Sequence, residues 1–303
     1  MSRGTTIKQD TPQRQTLTRP MVTRRYELVV DHEKCCGCQI CVKVCPQEAI
    51  ALSAAELAEG RLTRKPRVDI DPAKCTFCGE CVVLCPTHAL TLTVNGQREI
   101  PVLKGEAFPM LIRANKVNPE VCRATHDARY VEACPVGAIR AEIIRDAAGQ
   151  VVAVQDVAVE HELCINCTRC MEEGPAGAFT VTKPYKGQAL LNIALCPPGC
   201  QACADVCPTH AITYDGEKVA LDQRFCLFCG ACENVCPVEG AVRIVRTGLV
   251  HTPIASGAWV AALEKLVSFR EAVRELDIKG QQKRRKLLIR ELTGEAPADG
   301  CKG

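Results

Sequence analysis

Cys35, Cys38, Cys41 and Cys45, followed by Pro46, place four thiols in one C-x2-C-x2-C-x3-C-P run. Cys75, Cys78, Cys81, Cys85 and Pro86 repeat it unchanged, as do Cys226, Cys229, Cys232, Cys236 and Pro237. Cys196, Cys200, Cys203, Cys207 and Pro208 follow with one extra residue in the first gap. Cys164, Cys167 and Cys170 keep three of the four, with Gly174 at the fourth position. Soft thiolates converging from a short segment suit a [4Fe–4S] cube, because two intervening residues let the loop curl until successive sulfurs face inward. In paired clusters of this kind the fourth cysteine serves the neighbouring cube rather than its own.

Crosswise pairing therefore predicts the ligand sets. The first two runs give Cys35, Cys38, Cys41 with Cys85, and Cys75, Cys78, Cys81 with Cys45. The last two give Cys196, Cys200, Cys203 with Cys236, and Cys226, Cys229, Cys232 with Cys207. In the middle, Cys134 and Pro135 precede Cys164 by the interval that separates Cys45 from Cys75, so Cys134, Cys164, Cys167 and Cys170 complete a fifth set. The partner site is degenerate. Cys122 and Cys134 fit a C-x2-C-x4-C-x3-C-P variant in which Thr125 and Tyr130 hold the inner positions, and the lost cluster would have used 122, 125, 130 and 174. Of the 23 cysteines, Cys36, Cys122 and Cys301 remain, read as a bystander, a relic and a free terminal thiol. The surviving middle site is expected to be the one redox stop joining the two intact pairs.

Zinc and disulfides are the competing readings of so many cysteines. Zinc ribbons set two C-x2-C pairs on separate knuckles rather than three or four thiols in one run. Disulfides need an oxidising compartment, and thiols this crowded are badly placed to pair.

The formal charge of +3 counts cysteine as neutral. Five all-thiolate cubes at about −2 each would carry the loaded protein to about −7, so the apparent basicity is no argument for nucleic acid. Aromatic residues are 4% of the chain, too few for base-stacking platforms. With so few large side chains, the clusters must help staple the fold. No apolar run approaches the length of a membrane-spanning helix. Nothing resembles a nucleophile with a paired base, a phosphate loop or a dinucleotide fingerprint.

Positioning five cubes calls for an α+β fold of short antiparallel strand pairs and short helices, repeated in tandem. Residues 1–26 read as a flexible basic arm; Arg24 and Arg25 are followed by Glu27, Asp31 and Glu33, which excludes an export signal. Residues 27–96 form a first unit with two clusters, with strands near 26–30, 49–52, 67–70 and 89–94. Residues 97–187 form a second with one cluster and the degenerate site, and a hairpin over 141–159 turning at Ala148 and Gly149. Residues 188–248 form a compact third with two clusters, with a turn at Asp215 and Gly216. A helical extension occupies 249–303, with one helix over 258–276 carrying Trp259, Leu263 and Leu266 and a second over 281–292. Trp259 and its leucines pack on the cluster units, dock a partner subunit or, least favoured because Glu264, Glu271 and Glu275 interleave with the bases, lie on a membrane surface. His88 and His210, matched in Cys-Pro-Thr-His-Ala segments, read as repeat inheritance rather than ligands.

On these motifs residues 27–248 resemble a polyferredoxin, three tandem ferredoxin domains of the bacterial 2[4Fe–4S] type. Lys183, Pro184, Tyr185, Lys186 and Gly187, leading to Cys196-Pro-Pro-Gly-Cys200, are similar to polyferredoxin subunits of formylmethanofuran dehydrogenases and related anaerobic complexes. The degenerate run is similar to electron-transfer subunits of molybdopterin oxidoreductases, where the C-x2-C-x4-C-x3-C-P variant is common; here two of its cysteines are gone. The resemblance implies a non-catalytic, cytoplasmic carrier that relays low-potential electrons singly through five [4Fe–4S] clusters within an oxidoreductase complex. Partners would be a tungsten or molybdenum oxidoreductase, a hydrogenase or a disulfide reductase. A free multi-cluster ferredoxin and an assembly scaffold with structural clusters are the alternatives.

Overall fold

The computed structural model describes residues 5–254, 256–267, 281 and 284. Strands and short helices alternate in several small sheets. Arg25–Asp31 pairs antiparallel with Leu90–Val94, and Ile50–Leu52 with Val68–Ile70, so an outer strand pair encloses an inner one. Asn115–Val117 with Phe179–Val181 encloses Ile139–Arg145 with Val151–Val159. Tyr185–Leu191 with Val242–Leu249 encloses Ile212–Tyr214 with Val219–Leu221.

The helices between them are one turn long and sit on the cysteine runs. Ile40–Val44, Ala202–Val206 and Ala231–Val235 end at Cys45, Cys207 and Cys236, each with extended backbone. Each of those cysteines precedes a proline, whose ring pushes the residue before it out of the helical region. The proline thus turns the fourth thiol away from the helix that carries the third.

The expected flexible arm is corrected. Ile7–Asp10 and Arg14–Pro20 extend the Arg25–Asp31 sheet by two strands, with Gln97–Arg98 on its far edge. Leu17 is fully buried, and so is Gln15, whose side chain donates to Asp10 and Asp69 at 2.8 and 2.7 Å and accepts from the Ile70 N–H at 2.9 Å. Gln15 satisfies backbone and carboxylate partners where an apolar residue would ordinarily mark the strand. Sequence periodicity therefore passes over the segment.

One core lies between the outer parts of the chain. Ile40, Val44 and Leu84 meet Tyr185, Phe225, Phe228 and Leu249, and Trp259, Leu263 and Leu266 close the cluster. Trp259 stands edge-on to Phe108 at 5.3 Å and to His251 at 4.6 Å. Helix Gly257–Leu266, started by the Ser256 side chain on Trp259 N–H, thus packs its apolar face inward. The rest of the expected first helix, almost all of the second, and Cys301 lie outside the described residues.

Between the first two cysteine runs, Glu56–Ala58 and Arg61–Arg64 form a hairpin that crosses to the fourth run. Gly60 accepts from the Gln201 N–H at 2.9 Å, and the Leu62 N–H donates to Asp205 at 3.0 Å. Gly60 has φ +77°, and a Cβ there would meet Cys200 Cα at 2.8 Å. Gly60→Val combines left-handed strain of about 1–2 kcal/mol with a backbone collision. It is expected to lower the thermal midpoint of the anaerobic protein, followed by circular dichroism, by roughly 5 °C or more. Gly96→Val, at φ +79° with no neighbour within 4 Å, should cost visibly less.

Candidate cluster-binding sites

The cysteines gather crosswise. Cys35 and Cys41 share their surroundings with Cys38 and with Cys85 of the second run. Cys75, Cys78 and Cys81 line one cavity with Cys45, walled by Leu28, Ile50, Phe77 and Leu92. Cys226, Cys229 and Cys232 line another with Cys207, walled by Leu227, Ile212, Val242 and Ile244. Cys196, Cys200 and Cys203 neighbour Cys236. Cys134, Cys164, Cys167 and Cys170 line a further cavity with Ile139, Val159, Ile165 and Phe179. Cys134 also keeps the posture of its counterparts: its sulfur accepts from the Ala138 N–H at 3.2 Å, as Cys45 does from Ala49 at 3.3 Å and Cys85 from Ala89 at 3.2 Å. Such N–H donors stabilise thiolate charge and raise the potential of a bound cluster.

Burial pushes the Cys35, Cys170 and Cys203 thiols up to about 12 and the Cys226 thiol to about 11, whereas the hydrogen bond from Cys36 brings Cys229 down to about 7. A thiolate at the raised positions is favoured by positive charge beside it. Among the described residues, no three Cys, His, Asp or Glu side chains stand as a single-ion site. A tetrahedral zinc draws its sulfurs to about 4 Å of one another, whereas a cube spreads them around four irons.

Cations surround the cages. Arg246 is buried and donates to the carbonyls of Phe228, at 2.8 Å, and Cys229. Half-buried Arg113 donates to the Cys85 carbonyl at 2.6 Å and lies 3.3 Å from His88 Nε2. Arg19 reaches the Cys75 carbonyl at 2.7 Å and lies over the Phe77 ring, and Lys183 reaches the Cys226 carbonyl at 3.1 Å. Among the described residues, neither Arg113 nor Arg246 has a carboxylate partner within bonding distance. A buried cation left so is costly unless negative charge lies nearby, and an anionic cube in the adjoining cage supplies it. The residues present thus fit the cluster by charge as well as by ligand type. These cations lie far from the cysteine runs in sequence, and no spacing announces them.

The family model for the 4Fe-4S dicluster domain matches residues 34–89 and 195–240. The ferredoxin-like protein in the nif region of Azotobacter vinelandii is 34% identical over 83 residues, covering 25% of this chain and 85% of that protein. The chain belongs to the ferredoxin family. An uncharacterised ferredoxin of Methanocaldococcus jannaschii is 36% identical over 56 residues, 18% of this ferredoxin and 89% of that one. Over nearly its whole length this ferredoxin is similar to a chain of the formate dehydrogenase, heterodisulfide reductase and formylmethanofuran dehydrogenase complex from Methanospirillum hungatei. There the TM-score is 0.74 at 26% identity, covering 88% of this ferredoxin and 92% of that chain. The protein is thus an iron–sulfur carrier of electrons.

The degenerate position of this ferredoxin is filled by side chains. Tyr130 is fully buried, packs on Phe179 at 4.9 Å and turns its hydroxyl to the Cys122 thiol. Thr125 donates to the carbonyls of Val121 and Cys122 at 3.2 and 3.3 Å. A Cβ on Gly174 would stand 2.6 Å from the Cys170 carbonyl and 3.1 Å from the Phe179 ring, leaving no room for a cysteine. His88 donates to the Cys164 carbonyl, and burial with Arg113 beside it pushes the imidazole down to about 4. It serves as neutral packing between two cages.

The middle site is not the only contact between the intact pairs: the first cysteine run also packs directly on the last, where Asn234 Nδ2 donates to the Gly37 carbonyl at 2.8 Å.

Proposed function

We propose that this ferredoxin is the electron-relay subunit of an anaerobic oxidoreductase complex. Five [4Fe–4S] clusters would be held by the crosswise sets in three tandem units spanning 27–96, 97–187 and 188–248, the first joined by the strands of residues 7–20. The observation that carries this reading is that all five sets, three of them lining apolar-walled cavities, each gather one cysteine from one run and three from another. Bound cubes would take up and release electrons singly. The chain's residues hold the cubes, exclude water with Leu28, Phe77, Phe179 and Leu227, and offset their charge with Arg19, Arg113, Lys183 and Arg246.

Similarity to a chain of the Methanospirillum complex supports the subunit assignment, and partners of the formate dehydrogenase, disulfide reductase or formylmethanofuran dehydrogenase kind follow from it. No described helix is long and apolar enough to cross a membrane, and the proposed location is the cytoplasm. The test is a reductive titration of the anaerobic holoprotein. About five electrons per chain are expected at low potential, with no turnover of formate or a disulfide substrate by the isolated chain. Fewer than four equivalents, or turnover by the chain alone, would contradict the reading.

A further inference from the structure

We propose that electrons pass directly between the Cys35/Cys38/Cys41/Cys85 site and the Cys207/Cys226/Cys229/Cys232 site, across a junction built by Cys36, Gly37, Gly230 and Asn234. The middle site then lies on a branch rather than on the link between the pairs. This inference rests on the relay function proposed above and names its route.

Cys36 is almost fully buried. Its thiol lies within hydrogen-bonding reach of two sulfurs, that of Cys38 on one side and that of Cys229 on the other. Those two cysteines belong to different ligand sets, so three sulfurs form a continuous line from one cage to the next. The backbones are as close. Asn234 Nδ2 donates to the Gly37 carbonyl at 2.8 Å, and a Cβ on Gly230 would stand 3.8 Å from the Cys38 carbonyl. Gly230, at φ +90°, opens the helix Ala231–Val235 that carries Cys232. Water is kept out by Ile40, Phe228 and Tyr185 of the shared core. The Tyr185 hydroxyl donates to the Leu84 carbonyl, next to Cys85.

The middle site touches both pairs without separating them. On one side the Cys164 carbonyl accepts from His88, which neighbours Arg113 on the Cys85 carbonyl. On the other, Thr168 Oγ1 donates to the Arg224 carbonyl at 2.9 Å and Arg169 to the Thr209 carbonyl at 2.8 Å. Three cages are thus mutual neighbours, and the Cys45/Cys75/Cys78/Cys81 and Cys196/Cys200/Cys203/Cys236 sites extend outward from two of them. Electron transfer weakens steeply with distance and is favoured through bonded and hydrogen-bonded atoms, so the sulfur line is the preferred crossing. In the step itself one electron leaves the first site, which is oxidised, and enters the second, which is reduced; no proton or bond moves.

Cys36 acts here as a positioning residue shared by two clusters, and that sharing can be read. Hydrogen bonds to cluster sulfur raise the potential, and the single Cys36 S–H is shared between the Cys38 and Cys229 sulfurs, so Cys36→Ala in the anaerobic holoprotein should lower two of the five midpoint potentials together, each by part of a full hydrogen bond's effect, and leave three in place. Cys36→Ser, which keeps a donor, should return both towards the wild-type values. Asn234→Leu, with iron content unchanged, should weaken the magnetic coupling between these two reduced sites in electron paramagnetic resonance. A shift at one potential or none, or undiminished coupling in Asn234→Leu, overturns the junction. Loss of clusters from the wild-type protein would instead strike at the relay function.

Discussion

Replacing Cys134 with serine is expected to remove one cluster, taking iron from about 20 to about 16 per chain. Cys134 stands thirty residues from Cys164 in sequence, yet it lines the same cavity as Cys164, Cys167 and Cys170. Its sulfur takes the Ala138 N–H as Cys45 and Cys85 take theirs, which marks it as the ligand that crosses from the neighbouring run. A hard serine oxygen is a poor substitute for a soft thiolate on iron. Cys122→Ser supplies the control. Cys122 is fully buried and faces Tyr130, and Thr125, Tyr130 and Gly174 hold the other positions of its site, so its loss should leave iron content unchanged. Iron analysis with the ultraviolet–visible spectrum decides the matter. A cluster lost from Cys122→Ser, with Cys134→Ser intact, would reverse the assignment of relic and ligand.

Stripping the iron should abolish cooperative unfolding in most of the chain. In the first core, Cys35, Cys41, Cys45, Cys75, Cys81 and Cys85 are six of eighteen buried members. Without clusters those positions become protonated thiols around voids, and the aliphatic remainder is too small to offset the conformational entropy of ordering the segment. The region around the degenerate site should behave differently. Cys122, Tyr130, Ile139, Val154, Val157 and Phe179 form a core of aromatic and aliphatic side chains. Hydrogen exchange after chelation should therefore leave protection longest in Val151–Val159 and the helix Pro119–Thr125. An iron-free chain that still melts sharply, within a few degrees of the holoprotein, would show that side-chain packing alone suffices.

The gathering of the thiols was legible because each run is local: spacing fixes the loop, proline fixes its exit, and the crossing rule supplies the fourth thiol of each proposed ligand set. The strands flanking the first two runs were legible for the same reason, as with Arg25–Asp31 and Leu90–Val94. What escaped is what joins one unit to another. The strands at residues 7–20 rest on Gln15 and Leu17, too sparse a pattern to show periodicity. The hairpin ending at Arg61–Arg64 matters through Gly60 against Cys200, a contact across the fold that neither segment announces. Trp259 was open to several readings in the sequence, and its place in the core is shown by packing against Phe108 and His251. Arg113, Arg246 and Cys36 acquire meaning from the charge and sulfur beside them in space. A residue such as Cys36, one position from a ligand, has nothing in its spacing to separate a bystander from a bridge.

The central claim is that five cages, and not six, hold clusters. Iron and acid-labile sulfide should be counted together on protein purified without oxygen. The account predicts about 20 of each per chain, with zinc negligible. About 24 of each would mean that the site of Cys122 and Tyr130 is alive after all, and stoichiometric zinc with little sulfide would contradict the iron–sulfur assignment itself.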